Sequence, residues 1–172
     1  MKTNLWSSAA TNGFLLALIT ILFTLLQTAF PMEGMGAAIL IWFVKLVATV
    51  GALYYFMKSF GESEESYPYG AAFTYGFVVS FCSSIIVAAY SWLHYTVIFP
   101  DALEKTLTIM EQALASRANA DQRVIDLVTK NLPVIMSVVP LILYTIYGLI
   151  FSAIMAAFVK KEEPPFAQEV EA

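Results

Sequence analysis

The sequence is poor in charge and in the residue types that build most enzyme and metal sites. Only 13% of its 172 residues are charged, against about 25% in a typical soluble domain. It has one cysteine, Cys82, and one histidine, His94, so an intrachain disulfide and a multi-histidine zinc site are both excluded. It has no Gly-rich phosphate loop and no nucleophile elbow. We therefore expect no enzyme activity, and we assign no catalytic residue, cofactor or metal.

The charges that are present do not favour nucleic acid as a partner. Nine Lys and Arg residues are outnumbered by thirteen Asp and Glu residues, and the net charge is −4. A protein that binds a phosphate backbone needs clustered basic side chains. We therefore expect no nucleic-acid partner.

Four long apolar runs take up most of the chain and indicate an integral membrane protein. A helix of about 20 predominantly apolar residues can cross a bilayer core, and each run reaches that length. The runs predict an all-α fold, a four-helix transmembrane bundle that forms a single domain over residues 1–172. The predicted spans are about 13–30, 35–57, 69–99 and 132–159.

The segment 101–130, between spans three and four, has a different pattern from the spans. Asp101 and Asp121 are suited to cap two short helices. The segment is therefore predicted to be an extracytoplasmic, amphipathic helical hairpin or one long bent helix. Its apolar residues recur at steps of four, three and four and share one helical face: Leu103, Leu107, Met110 and Leu114.

The short flanks of the spans predict the orientation. The 31–34 turn has no Lys or Arg. The 101–130 loop has four, but two of them lie far from the span ends, and early flanks weigh more. We predict both termini in the cytoplasm of a bacterium, with the spans in its inner membrane and the tail 161–172 disordered. Four lysines share the predicted cytoplasmic side: Lys2, Lys58, Lys160 and Lys161.

A stripe of small residues on span three predicts a close helix contact. In lipid, small residues let two helix backbones approach and gain dispersion contacts. The contact is either internal to the bundle or made with a second copy or a membrane partner protein, and Val79 beside the stripe is expected to face lipid. The stripe is Ala72, Gly76, Ser80, Ser84 and Ala88, and span four repeats the pattern with Gly148, Ser152 and Ala156.

Lys45 is the single charged residue inside span two and lies near its middle. A charge at that depth costs about 2.5–3.5 kcal/mol on insertion scales. No Asp or Glu occurs in any predicted span, so an ion pair within the spans is excluded. Lys45 is therefore neutral, hydrated or snorkelling, bound to Tyr, Ser or carbonyl groups, or a contact for an anion, a lipid phosphate or a partner's carboxylate. Thr49 lies one turn away on the same face.

The one histidine, His94, lies close to Tyr90 and Tyr95 near the end of span three. Aromatic and amphipathic side chains are frequent at the membrane–water interface. A histidine in this setting titrates near neutral pH when it is unperturbed, but the surrounding tyrosines favour a structural role. We expect an interfacial anchor.

Three short motifs resemble a known family. The run YGAAFTYG at 69–76 opens span three, Phe99-Pro100-Asp101 closes it, and Gly148 begins a last half-span that ends in Lys160-Lys161. These residues resemble a bacterial family of small four-span membrane proteins that is classed as a domain of unknown function. The resemblance covers nearly the whole chain and implies the topology, but it supplies no catalytic residue, ligand or partner. Lys45 is not part of the family's pattern.

These observations predict a non-enzymatic, multi-pass membrane protein. It would act through helix or loop contacts with a copy of itself, a partner protein or the lipid bilayer. The alternative is a small transporter or channel subunit that uses Lys45 as an intramembrane anion or lipid-phosphate site.

Overall fold

The computed structural model describes residues 4–30, 34–115 and 122–161. Within these ranges the chain forms five α-helices and one π-helical turn, and four of the helices are long and apolar enough to cross a membrane. The predicted all-α bundle with four spans is thereby confirmed, and the chain is a multi-pass membrane protein. The helices are α1 Leu5–Ala29, α2 Met35–Glu62, α3 Tyr69–Leu93, α4 Pro100–Ala115 and α5 Gln122–Val159, with the π-helical turn at His94–Ile98.

Two helices extend past their predicted ends. α1 begins at Leu5 instead of about residue 13. The side chain of Asn4 caps it by accepting a hydrogen bond from the Trp6 backbone N–H at 3.1 Å, which satisfies one of the free donors at a helix start. α2 continues to Glu62, five residues beyond its predicted end at Met57. The predicted ends followed the most apolar stretch of each run, and the helices continue beyond it through polar residues.

The predicted hairpin over 101–130 takes a different form. α4 covers its first half, but residues 122–130 form the first turns of α5, which continues without a break through the predicted start of span four. α5 has 38 residues and is roughly 57 Å long. Pro133 and Pro140 both lie inside it, because a proline removes one backbone hydrogen bond without ending a membrane helix. The turn that contains Asp121 lies outside the described residues.

α3 is the central helix of the bundle. It packs most extensively against α5 and then against α1, whereas α2 makes fewer contacts with each of its neighbours. The buried residues of α2 are confined to its last third, where Leu53, Met57 and Phe60 pack into the core. From Gly36 to Ala52 no side chain of α2 is buried. The first half of α2 therefore borders the bundle without entering it.

One end of the bundle joins the α2–α3 turn to the end of α5. We call it the strap end. Tyr67 and Lys161 form an antiparallel bridge, in which the Lys161 N–H donates to the Tyr67 carbonyl at 2.8 Å. The Lys161 ammonium also donates to the Glu64 carbonyl at 3.2 Å. Lys161 is the last described residue, so the rest of the predicted disordered tail lies outside the described part of the chain.

Candidate functional site

The small-residue stripe brings α3 and α5 into close contact. A Cβ added to Gly148 would overlap the side chain of Ser80. A Cβ added to Gly76 would lie 2.8 Å from the Ser152 Oγ and 2.6 Å from the Met57 Sδ. The structure thus places the stripe inside the bundle. Of the predicted packing residues, only Ala88 is half-buried, and the other seven are buried: Ala72, Gly76, Ser80, Ser84, Gly148, Ser152 and Ala156.

The opposite side of α3 packs against α1. A Cβ on Gly13 would lie 2.8 Å from the Val79 carbonyl oxygen and 2.7 Å from the Cys82 Cβ. Val79 itself is fully buried, so the expectation that it faces lipid is wrong. The physical reason is that α3 is covered on two sides, and a single stripe of small residues marks only one of them.

Beside the α3–α5 contact lies a partly open cavity of about 120 Å³. Four helices line it, and most of the lining is apolar. It is far larger than the ~10–15 Å³ that one water molecule needs. Its lining residues are Leu16 and Thr20 of α1, Trp42, Lys45, Leu46, Thr49, Val50 and Leu53 of α2, Ser80 and Ser83 of α3, and Tyr144, Tyr147, Gly148 and Phe151 of α5.

Lys45 lies in this cavity with one hydrogen-bond partner. Its ammonium donates to the Tyr144 hydroxyl at 3.0 Å and lies 5.5 Å from the centre of the Tyr144 ring. Thr49 lies nearby, but it donates to the carbonyl of Lys45 at 2.9 Å, so its proton is used within its own helix. Among the described residues, no carboxylate lies within ion-pair distance of Lys45. The lysine therefore retains donors without an acceptor.

Ser80 adds a second donor without a partner. It is only 5% exposed, and its Oγ makes no hydrogen bond within the described residues. A buried hydroxyl without a partner costs about 1–3 kcal/mol. Serines in membrane helices often donate to a carbonyl of the preceding turn, as Ser84 does at 2.8 Å. Ser80 does not, so its hydroxyl is available to a group in the cavity.

The cavity opens to the outside of the bundle between α2 and α5. Trp42 of α2 is 54% exposed, and Tyr147 of α5 is exposed too. The residues that form the floor, including Thr20, Leu53 and Ser83, are buried. Both rim residues lie within helices that are long and apolar enough to cross a membrane.

His94 is the centre of a second polar cluster, at the opposite end of the bundle from the strap end. The imidazole is fully buried, so the expected role as an interfacial anchor is wrong. Its Nε2 lies 3.0 Å from the Thr28 Oγ1, and its Nδ1 lies 2.9 Å from the Tyr90 hydroxyl. Thr28 already donates its proton to the Thr24 carbonyl. The Nε2–H therefore donates to Thr28, and Tyr90 donates to Nδ1 when the ring is neutral.

A third polar cluster joins α1 to α3 near the strap end. The Tyr75 hydroxyl accepts a hydrogen bond from the Asn12 amide at 2.7 Å and lies 2.9 Å from the Ser8 Oγ. The Tyr75 ring stacks on Phe60 with 4.1 Å between ring centres. All of these polar atoms have partners. The cluster accordingly explains how α1 packs against α3.

The sequence predicted Lys45 and Thr49 as a polar site and Ser80 as a packing residue, and Tyr144 was missed. Only Lys45 gave a direct signal, as a charge inside an apolar run. Tyr144 gave none, because tyrosines are common in membrane helices and its position relative to Lys45 depends on how α2 and α5 pack. Among the described residues, no group of His, Cys, Asp and Glu side chains is arranged to hold a metal ion.

The fold and the cavity define a small, multi-span membrane protein with a lysine at mid-bundle. Residues 11–161 match the family described as Protein of unknown function (DUF4199), and the chain belongs to that family. The match confirms the predicted resemblance to a domain of unknown function. No curated protein and no solved structure matched the chain.

Proposed function

We propose that this protein is a non-enzymatic membrane protein that holds the anionic group of a membrane component in the cavity at Lys45. The observation that supports it best is the pairing of the Lys45 ammonium with a neutral partner alone, the Tyr144 hydroxyl, at 3.0 Å. A charge inside a membrane is costly and usually pairs with another group. The predicted spans contain no Asp or Glu, and among the described residues no carboxylate lies within ion-pair distance of Lys45. A ligand from the membrane would complete the pair.

The experiment compares Lys45→Met and Lys45→Arg with the unchanged protein by native mass spectrometry. We expect Lys45→Met to lose a bound anionic lipid or amphiphile, and Lys45→Arg to retain part of it, because Arg also donates to phosphate and carboxylate. The matched control is Lys58→Met. Lys58 is an exposed lysine on the same helix, and its nearest acid is Glu62 at 4.0 Å. Its replacement should leave the bound species unchanged.

Other outcomes would redirect the proposal. An identical set of bound molecules in all forms, with Lys45→Met at least as stable as the unchanged protein, would contradict it. That result would mean a solvated lysine whose removal relieves a desolvation cost. Loss of a second copy or of a co-purifying membrane protein, instead of a lipid, would show that a partner's carboxylate occupies the site.

Transport is the alternative that uses the same lysine. A transporter or channel subunit would have to release the anion on the far side of the membrane. Lys45-dependent flux of an anion across vesicles that contain the purified protein would support that alternative over simple binding.

We also propose that the protein lies in a bacterial inner membrane with both termini in the cytoplasm. The lysine distribution at the short flanks supports this orientation. Cysteine labelling tests it in a Cys82→Ala background that carries Ala115→Cys at the end of α4. Labelling of that cysteine by a membrane-impermeant reagent from outside is expected. Labelling from the cytoplasmic side alone would reverse the orientation.

A further inference from the structure

The cavity at Lys45 is rich in hydrogen-bond donors, and Lys45 lies near the middle of the predicted span two. Three groups in it have protons without an acceptor among the described residues: the Lys45 ammonium, the Tyr144 hydroxyl and the Ser80 Oγ. Thr20, also in the lining, donates to the Leu16 carbonyl at 3.3 Å. A group with several acceptor oxygens and no donor of its own, such as a carboxylate or a phosphate, satisfies this set.

The position of the mouth selects a ligand dissolved in the membrane. The exposed rim, Trp42 and Tyr147, lies on two lipid-facing helices, while the floor at Ser80 is buried. From Gly36 to Ala52, α2 has no buried side chain, so an apolar chain can lie along it outside the cavity. An ion from water would have to cross half of the apolar layer without its hydration shell, which is costly. An amphiphile enters from the side with its apolar chain already in lipid.

The depth of the site distinguishes a carboxylate from a phosphate diester. A carboxylic acid can enter the apolar layer with its proton attached, since low polarity disfavours the charged form. In the site it can release that proton to water and pair with the Lys45 ammonium as a carboxylate, so that no anion has to cross the apolar layer. A phosphate diester is a stronger acid and would keep its charge on the way. The same depth therefore costs the diester more.

From these three steps, which rest on the proposed anion site, we infer that the cavity binds the carboxyl group of a single-chain fatty acid. The head lies between Lys45, Tyr144 and Ser80, and the chain leaves through the mouth between Trp42 and Tyr147.

The test uses Trp42 as a reporter at the mouth. The other two tryptophans, Trp6 and Trp92, are exposed and can be changed to Phe so that Trp42 alone fluoresces. The purified full chain in mild detergent is titrated with 5-doxyl-stearic acid, whose nitroxide near the head quenches a nearby indole. The methyl ester of the same probe has no acid group and measures partition into the micelle. We expect saturable quenching by the acid and only the weak, unsaturable background with the ester.

Two variants link the quenching to the proposed donors. Lys45→Met should weaken binding of the acid by about tenfold or more, because it removes a charge-assisted hydrogen bond. Ser80→Ala should weaken it by about threefold, as expected for one neutral hydrogen bond. The matched control is Ser137→Ala, since Ser137 donates to the Pro133 carbonyl at 3.0 Å and lies outside the lining. It should bind the acid like the unchanged protein.

A second arm keeps this inference separable from the proposed function. Phosphatidylglycerol, a phosphate diester, with a doxyl group on one chain is titrated in the same way. Lys45-dependent quenching by phosphatidylglycerol but not by stearic acid would overturn the fatty-acid inference and leave the anion site standing. Equal quenching by the acid and its ester, together with no effect of Lys45→Met in either arm, would overturn both.

Discussion

α3 and α2 are both apolar helices of membrane-spanning length, but a much larger share of α3 is buried inside the bundle. Of the 18 residues in the most apolar stretch of each helix, 44% are buried inside the protein in α3 and 6% in α2. Lipid tails are as apolar as leucine, so hydropathy places both helices in the membrane but does not draw either toward a neighbour. α3 is covered by α5 on one side and by α1 on the other, whereas α2 makes fewer contacts with each of its neighbours. α3 has a continuous stripe of them at steps of four, from Ala72 to Ala88, and its backbone approaches α5 closely.

The contrast also explains where the cavity forms. The last third of α2 joins the core at Leu53, Met57 and Phe60, while its first half remains at the edge. Lys45 lies in that first half, beside the tightly packed contact between α3 and α5, which we call the α3–α5 seam. A rigid floor on α3 and α5 with one loosely covered side is the usual setting for a ligand site.

The largest effect is expected from a substitution that places a bulky side chain in the α3–α5 seam. Gly148→Leu would drive a side chain into Ser80, whose Cβ is fixed to the α3 backbone and cannot move away. Overpacking of this kind costs about 3 kcal/mol, so the thermal unfolding temperature in mild detergent should fall clearly. Gly51→Leu on α2 is the matched control, because nothing lies within 4 Å of a Cβ added there. Equal effects of the two changes would show that the seam is not a tight contact.

A smaller loss is expected where α1 and α3 meet through a polar contact. His94→Phe keeps a ring against Tyr95 and Phe99 but removes both hydrogen bonds, to Thr28 and to Tyr90. We expect a loss of about 1–2 kcal/mol, since the half-buried Tyr90 hydroxyl loses its acceptor, while Thr28 keeps its bond to the Thr24 carbonyl. The unfolding temperature is the measurement, and Trp92→Phe on an exposed neighbour is the control. No change in His94→Phe would mean that the buried histidine contributes nothing to α1–α3 packing.

The number of spans and the small-residue stripe could both be predicted from the sequence. Bilayer thickness sets the length of an apolar run, and the close approach of two helix backbones requires small residues at regular spacing. The start of α1 and the continuity of α5 through Pro133 were not readable, because polar residues and prolines are satisfied there by capping and by neighbouring structure. The site was readable only at Lys45 and Thr49. Tyr144 joins it through the packing of two helices that are 99 residues apart at these positions.

The smallest expected effect concerns the strap end, where α2 does join the bundle. The Tyr67 ring fills the space beside Gly61, where an added Cβ would lie 2.8 Å from the ring's Cε1. Its hydroxyl is buried without a partner among the described residues. Tyr67→Phe keeps the ring and removes that hydroxyl, so stability near neutral pH should be unchanged or up to about 1 kcal/mol higher.

The stability of the protein at high pH distinguishes the buried Tyr67 from the exposed tyrosines. Burial, with smaller contributions from Tyr75 and Glu64, raises the pKa of Tyr67 above its ordinary value of 10.0. The folded protein therefore keeps a proton that the unfolded chain has released. Its contribution to stability is complete below about pH 10 and is lost as the pH rises further. Unfolding temperatures measured from about pH 8 to about pH 11 should decline more steeply in the unchanged protein than in Tyr67→Phe. Parallel declines would show that Tyr67 is not shielded from water in the folded protein, and a large loss in the variant at neutral pH would show that its hydroxyl has a partner there.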